Sequence, residues 1–125
     1  MRLNLKVLDY TFAICRLPST AKVPDWPYQG SFYSITKTLD ELSIVCSQQF
    51  VTDMEKVDKD WKIIKVEGPL DFSLIGIMAN LSSTLASGGI SIFTISTFDT
   101  DYILVKEKNL KEAIDLLSKA GHKIS

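Results

Sequence analysis

The chain has 125 residues, of which 46% are hydrophobic and 23% charged, with six glycines, four prolines and two cysteines. This composition excludes a disordered or fibrous chain and allows one compact domain or two small fused ones. Fourteen basic against fifteen acidic residues leave a formal net charge of −1, which offers no broad basic field to nucleic acid. Apolar stretches are far shorter than the roughly eighteen residues of a membrane-spanning helix, and Met1 to Cys15, interrupted by Arg2, Lys6 and Asp9, lacks the apolar core of an export signal.

The first half reads as short extended segments: Lys6 to Leu8, Tyr10 to Leu17, Phe32 to Lys37 and Leu42 to Cys46. Between the second and third, Pro18, Pro24, Pro27 and Gly30 leave room for a single helical turn near Asp25 and Trp26. Trp26, Pro27 and Tyr28 are expected to plug the domain, with the lining of a ligand cleft as the alternative role. Cys15 and Cys46 sit in apolar strand contexts. Core thiols in a reducing cytoplasm are the expected state, against a strand-to-strand disulfide or reactive chemistry.

The second half has another rhythm. Trp61 to Glu67 predicts a strand that Gly68-Pro69 ends, and Asp71 or Ser73 then caps a helix running to about Ser87. Leu74, Met78, Leu81 and Leu85 recur at helical spacing and form its core stripe. Gly88-Gly89 supplies a turn, after which Ile90 to Thr97 and Tyr102 to Lys106 predict a hairpin closed through Phe98, Asp99, Thr100 and Asp101. Asn109 and Glu112 match a reciprocal cap for a second helix, with Leu110, Ile114 and Leu117 on its apolar face and Gly121 at its end. His122 to Ser125 fits a last edge element.

From Trp61 the order is strand, helix, strand, strand, helix and short strand, the split βαβ or ferredoxin-like arrangement of the α+β class. Both helices cover one side of the sheet. Phe93, Ile95 and Leu104 alternate onto the other side, which therefore needs cover from the N-terminal half or a second copy. An ungapped offset of sixty lays Phe32-Tyr33-Ser34-Ile35-Thr36 over Ile92-Phe93-Thr94-Ile95-Ser96. The same register sets Leu42, Ile44 and Val45 over Tyr102, Leu104 and Val105, as expected for two related hairpins. The predicted division is 1–60, lacking a second helix, and 61–125.

Few residues invite chemistry. No metal-ligand spacing or phosphate-binding glycine pattern is present, and His122, the one histidine, is expected to be an ordinary surface or interface residue, so no cofactor is expected. Asp99 and Asp101 stand two apart between strands. One reading is turn chemistry, in which each carboxylate bonds downstream amides; the other is contact with the ammonium or guanidinium of a small ligand, with Ser96, Thr97 and Phe98 at the wall. The Gly68 to Gly76 loop offers helix-start amides to a ligand carboxylate. Asp71 either caps those amides or meets an α-ammonium, and Ile75, Gly76 and Ile77 suit either a close approach or plain packing.

The segments Phe32 to Thr36, Glu41 to Cys46, Gly76 through Gly88-Gly89-Ile90, and Ser96-Thr97-Phe98 to Asp101-Tyr102-Ile103-Leu104-Val105 resemble ACT-domain proteins of the tandem class. These include the regulatory tail of aspartate kinase and the cytosolic arginine-sensing proteins. The resemblance implies tandem βαββαβ modules, the N-terminal one reduced, an amino acid held between modules, and no catalysis in this chain. It implies ligand-site roles for Ser43, Thr97, Phe98 and Asp101, which join Asp71, Ile75, Gly76 and Asp99 as candidates. The implied protein is a cytoplasmic homodimer that regulates an enzyme partner in trans, with neither nucleic acid nor membrane as partner. The Gly68-Pro69 order reverses the PG step of many ACT ligand loops. A structural dimerisation or interaction domain without ligand is the alternative, with a small enzyme on the same scaffold as a more distant one.

Overall fold

Period-two alternation turns Leu5 inward and Lys6 outward in the first strand, β1 (Asn4–Val7), and the same rule shapes the strands that follow in a computed structural model describing residues 2–68 and 75–125. The remaining strands are β2 (Phe12–Leu17), β3 (Tyr33–Lys37), β4 (Leu42–Ser47), β5 (Val57–Val66), β6 (Ile92–Ser96), β7 (Asp101–Lys106) and β8 (Lys123–Ile124). Two α-helices, α1 (Ile77–Ser87) and α2 (Leu110–Lys119), complete an α+β architecture. Two units emerge: Met1–Asp9 with Lys62–Ser125, and Tyr10–Trp61. The division thus differs from the expected 1–60 and 61–125, because β1 pairs within the second half and β5 contributes residues to both units.

In the larger unit the strand order is β6-β7-β5-β1-β8. β1 is antiparallel to β5, with Leu5 opposite Val66, and parallel to β8, with Leu5 opposite Ile124, so the sheet is mixed. The expected split βαβ order is present, with β1 inserted between β5 and the last strand. Leu5, Ile64, Val66, Ile77, Leu81, Leu85, Ile90, Ile103, Val105, Ala113 and Leu117 form one buried core between sheet and helices. Ile63 and Leu104 point to the opposite face and are also fully buried.

Both helix starts depart from the sequence expectation. Asp71, Ser73 and Leu74 lie outside the described residues, and α1 begins at Ile77 after Gly76, whose left-handed φ of 80° interrupts a helical run. Asn109 occupies the N-cap of α2 without a side-chain cap bond, because a short 3-10 turn (Glu107–Asn109) feeds the helix with Asn109 already near helical dihedrals. At the other end of α1, a Cβ on Gly88 would clash with Leu116 of α2, and Gly89 takes the positive φ expected of this pair.

The smaller unit orders its strands β3-β4-β2-β5, all antiparallel. A 3-10 turn, Trp26–Gln29, stands where the prolines permit only one turn. Pro27 is buried and Trp26 packs on the core, whereas Tyr28 is half exposed, with its ring edge-on to Tyr33. Ala13, Cys15, Leu42, Ile44 and Cys46 form the core. β5 starts earlier than its apolar residues suggest, because Asp58, Lys59 and Asp60 face solvent. Asp60, at a φ of 68°, lies where the pairing with β2 shifts register.

The two hairpins have equivalent registers. Tyr33 opposite Cys46 in β3–β4 corresponds to Ile92 opposite Val105 in β6–β7, 92 against 33 and 105 against 46, a spacing of 59. The offset of sixty is therefore corrected by one. Ile44, Val45 and Cys46 match Ile103, Leu104 and Val105, all six buried.

Candidate functional site

Four residues close the β6–β7 hairpin, and their polar side chains account for its shape. The Thr97 amide donates to the Thr100 carbonyl at 2.8 Å, the Thr97 hydroxyl donates to the same oxygen at 3.1 Å, and the Thr100 amide donates back to Thr97 Oγ1 at 3.3 Å. Phe98 and Asp99 are thereby held at the tip, where Phe98 is 81% exposed. At the base of the turn, Ser96 sits opposite Asp101 and its hydroxyl donates to Asp101 Oδ1 at 2.5 Å, which fixes the carboxylate.

The turn chemistry expected of Asp99 and Asp101 is thus carried by threonine. Thr97, Phe98, Asp99 and Asp101 are brought together on one hairpin end. Phe98, expected to shield the site from water, is exposed at the tip. Ile75, 89% exposed, and the exposed Gly76 precede α1. Asp71 falls outside the described residues. Ser43 belongs to the smaller unit, half-buried on β4 between Arg16 of β2 and Thr36 of β3.

The smaller unit repeats the turn at the same spacing. Thr38 uses its amide and hydroxyl on the Glu41 carbonyl, and its Oγ1 accepts from the amides of Asp40 and Glu41. Thr38-Leu39-Asp40-Glu41 therefore matches Thr97-Phe98-Asp99-Thr100, and the two threonines two residues before an aspartate are the signal that gives the correct offset.

His122 is corrected from surface to interior. It is 5% exposed, its Nδ1 accepts the Leu3 amide at 3.1 Å, and its Nε2 lies 3.2 Å from Asn80 Oδ1 on α1. An amide can only donate, so Nδ1 is unprotonated and Nε2 carries the hydrogen. Burial lowers the His122 pKa, assisted by the positive N-terminal amine. Cys15 and Cys46 are buried free thiols, as expected for core residues. Donation to the Cys15 sulfur, together with burial, pushes the Cys46 thiol pKa up and keeps it protonated.

Strand order and two helices packed on one side of the sheet define a ferredoxin-like module. The ACT domain family matches residues 56–119, just over half the chain, and the chain belongs to that family. A second family, described as an N-terminal domain, matches residues 10–54. The chain is 37% identical over 123 residues to the cytosolic arginine sensor for mTORC1 subunit 1 of Pongo abelii, a match covering 90% of this chain and 37% of that protein. It therefore spans little more than a third of that relative's length. A crystal structure of an Agobacterium tumefaciens protein is 41% identical, with a TM-score of 0.94 over 100% of this chain and 93% of the other. The aspartate kinase of Clostridium acetobutylicum shares the fold at 11% identity, with a TM-score of 0.68 over 90% of this chain and 33% of the kinase. The protein is thus an ACT-domain module, similar in sequence to cytosolic arginine sensors and sharing its fold with aspartate kinase.

Proposed function

We propose that the chain binds a free amino acid with a cationic side chain at the Thr97–Asp101 turn and relays its occupancy to an enzyme or complex in trans. The observation that carries this reading is the Asp101 carboxylate. One oxygen is held by Ser96, and the second is available to receive a guanidinium or ammonium beside the exposed Phe98 ring. The relatives named as arginine sensors favour arginine as ligand and the cytoplasm as location. Asp99 supplies further negative charge at the tip, and Ile75 and Gly76 lie on the segment that the sequence assigns to the ligand's carboxylate end.

The matching hairpins at a spacing of 59 support a tandem origin. On that reading the smaller unit is a reduced ACT module, in which the Trp26–Gln29 turn replaces the first helix and the 51–56 segment replaces the second. Ser43 is its contribution to ligand binding, and the working protein is a homodimer.

Calorimetry with the twenty amino acids, on protein refolded to remove carried-over ligand, tests the proposal. Arginine should bind, and Asp101→Asn should weaken it by about tenfold or more, as expected for loss of a hydrogen bond to a charged group. Failure of every amino acid to bind below about millimolar concentration, with the protein folded, would refute the reading.

A further inference from the structure

The first threonine of each hairpin turn makes equivalent bonds in the two units, so turn stability explains those bonds. Thr100 makes one that the smaller unit does not match. It is 5% exposed, and its hydroxyl donates at 2.5 Å to the carbonyl of Val66, the last residue of β5. Glu41, at the corresponding position, is acceptor-only when ionised and cannot make such a bond.

The geometry of β5 shows what the Thr100 bond replaces. The Glu67 amide donates to Asn4 and the Ile63 carbonyl accepts from Leu8, so odd-numbered residues at this end of β5 turn their backbone groups toward β1. Val66 therefore points its carbonyl toward β7. β7 begins only at Asp101, and the hydroxyl of the preceding residue takes the place of a strand amide.

We infer that Thr100 is a positioning residue. Its hydroxyl locks the turn bearing Thr97, Phe98, Asp99 and Asp101 to the end of β5. The hairpin end of the proposed amino-acid site is then held on β5 before ligand arrives, and affinity depends on a side chain that does not touch the ligand. This inference rests on the amino-acid reading above.

The test compares wild type, Thr100→Val and Thr100→Ser by calorimetry with L-arginine and by hydrogen exchange without ligand. Valine keeps the volume and removes the donor; serine keeps the donor and removes the methyl group. Thr100→Val should fold, bind arginine roughly tenfold more weakly, and exchange faster at both 67–68 and 98–101, whereas Thr100→Ser should behave as wild type. Wild-type affinity and exchange in Thr100→Val would overturn the inference, as would a Thr100→Ser variant loosened to the same degree, since that would assign the effect to the methyl group. If wild type binds no arginine, the amino-acid reading fails. The ligand-free exchange then decides the coupling alone: faster exchange in both segments of Thr100→Val supports it, and unchanged exchange overturns it.

Discussion

His122 gives the larger unit a stability that depends on pH. Replacing it with alanine removes the acceptor for the Leu3 amide and the partner of Asn80, two bonds whose net worth is about 1 kcal/mol each, for a total loss of about 2 kcal/mol. For a unit of this size, that lowers the melting temperature by about 8–16 °C. Burial and the N-terminal amine depress the folded-state pKa below the ordinary 6.5, so the unfolded chain takes up the proton first as the solution is acidified. The stabilisation is therefore complete above pH 6.5 and is lost as the pH falls from there through the folded-state value. α1, which carries Asn80, has no ionisable side chain to favour the imidazolium. Denaturant titrations of wild type and His122→Ala should show a gap of about 2 kcal/mol at pH 8 that narrows below pH 6.5. A gap that stays constant to pH 5, or widens, would show that His122 is not held neutral.

Two other expectations follow from the cores. Leu81, fully buried among Leu85, Ile103 and Leu117, should cost about 2–5 kcal/mol when replaced by alanine, read by denaturant titration; a loss below about 1 kcal/mol would mean that the helix-sheet layer collapses to fill the space. Cys15 and Cys46 should resist an aromatic disulfide reagent in the native protein and react together on unfolding, and native reactivity at either would contradict their burial.

The larger unit was legible because its helices are periodic and its strands alternate, so local pattern and final environment agree. The first turn of α1 was misplaced because polar residues able to cap are common upstream, whereas the conformation of Gly76 is invisible in composition. The hairpin repeat was aligned one residue off, since neighbouring apolar residues in β6 and β7 satisfy either register when only side-chain class is compared. A slip of one reverses every side chain between faces, and the threonine that starts each turn resolves it. Thr97, Phe98, Asp99 and Asp101 share one hairpin end because they fall within five consecutive residues. Thr100 and His122 were overlooked because their partners, Val66, Leu3 and Asn80, are 34 to 119 positions distant along the chain.

The insertion of β1 between β5 and β8 makes the larger unit discontinuous, with Tyr10–Trp61 nested inside it as a guest. Joining β1 to β5 across an unstructured stretch would carry a loop-closure cost that grows with the logarithm of its length, whereas a guest that has already folded presents its host with a much shorter gap. Assembly is thus easiest from the inside outward. For anyone moving this module into a fusion protein, the chain is one indivisible cassette, since excising its last half alone would strip the host of a central strand.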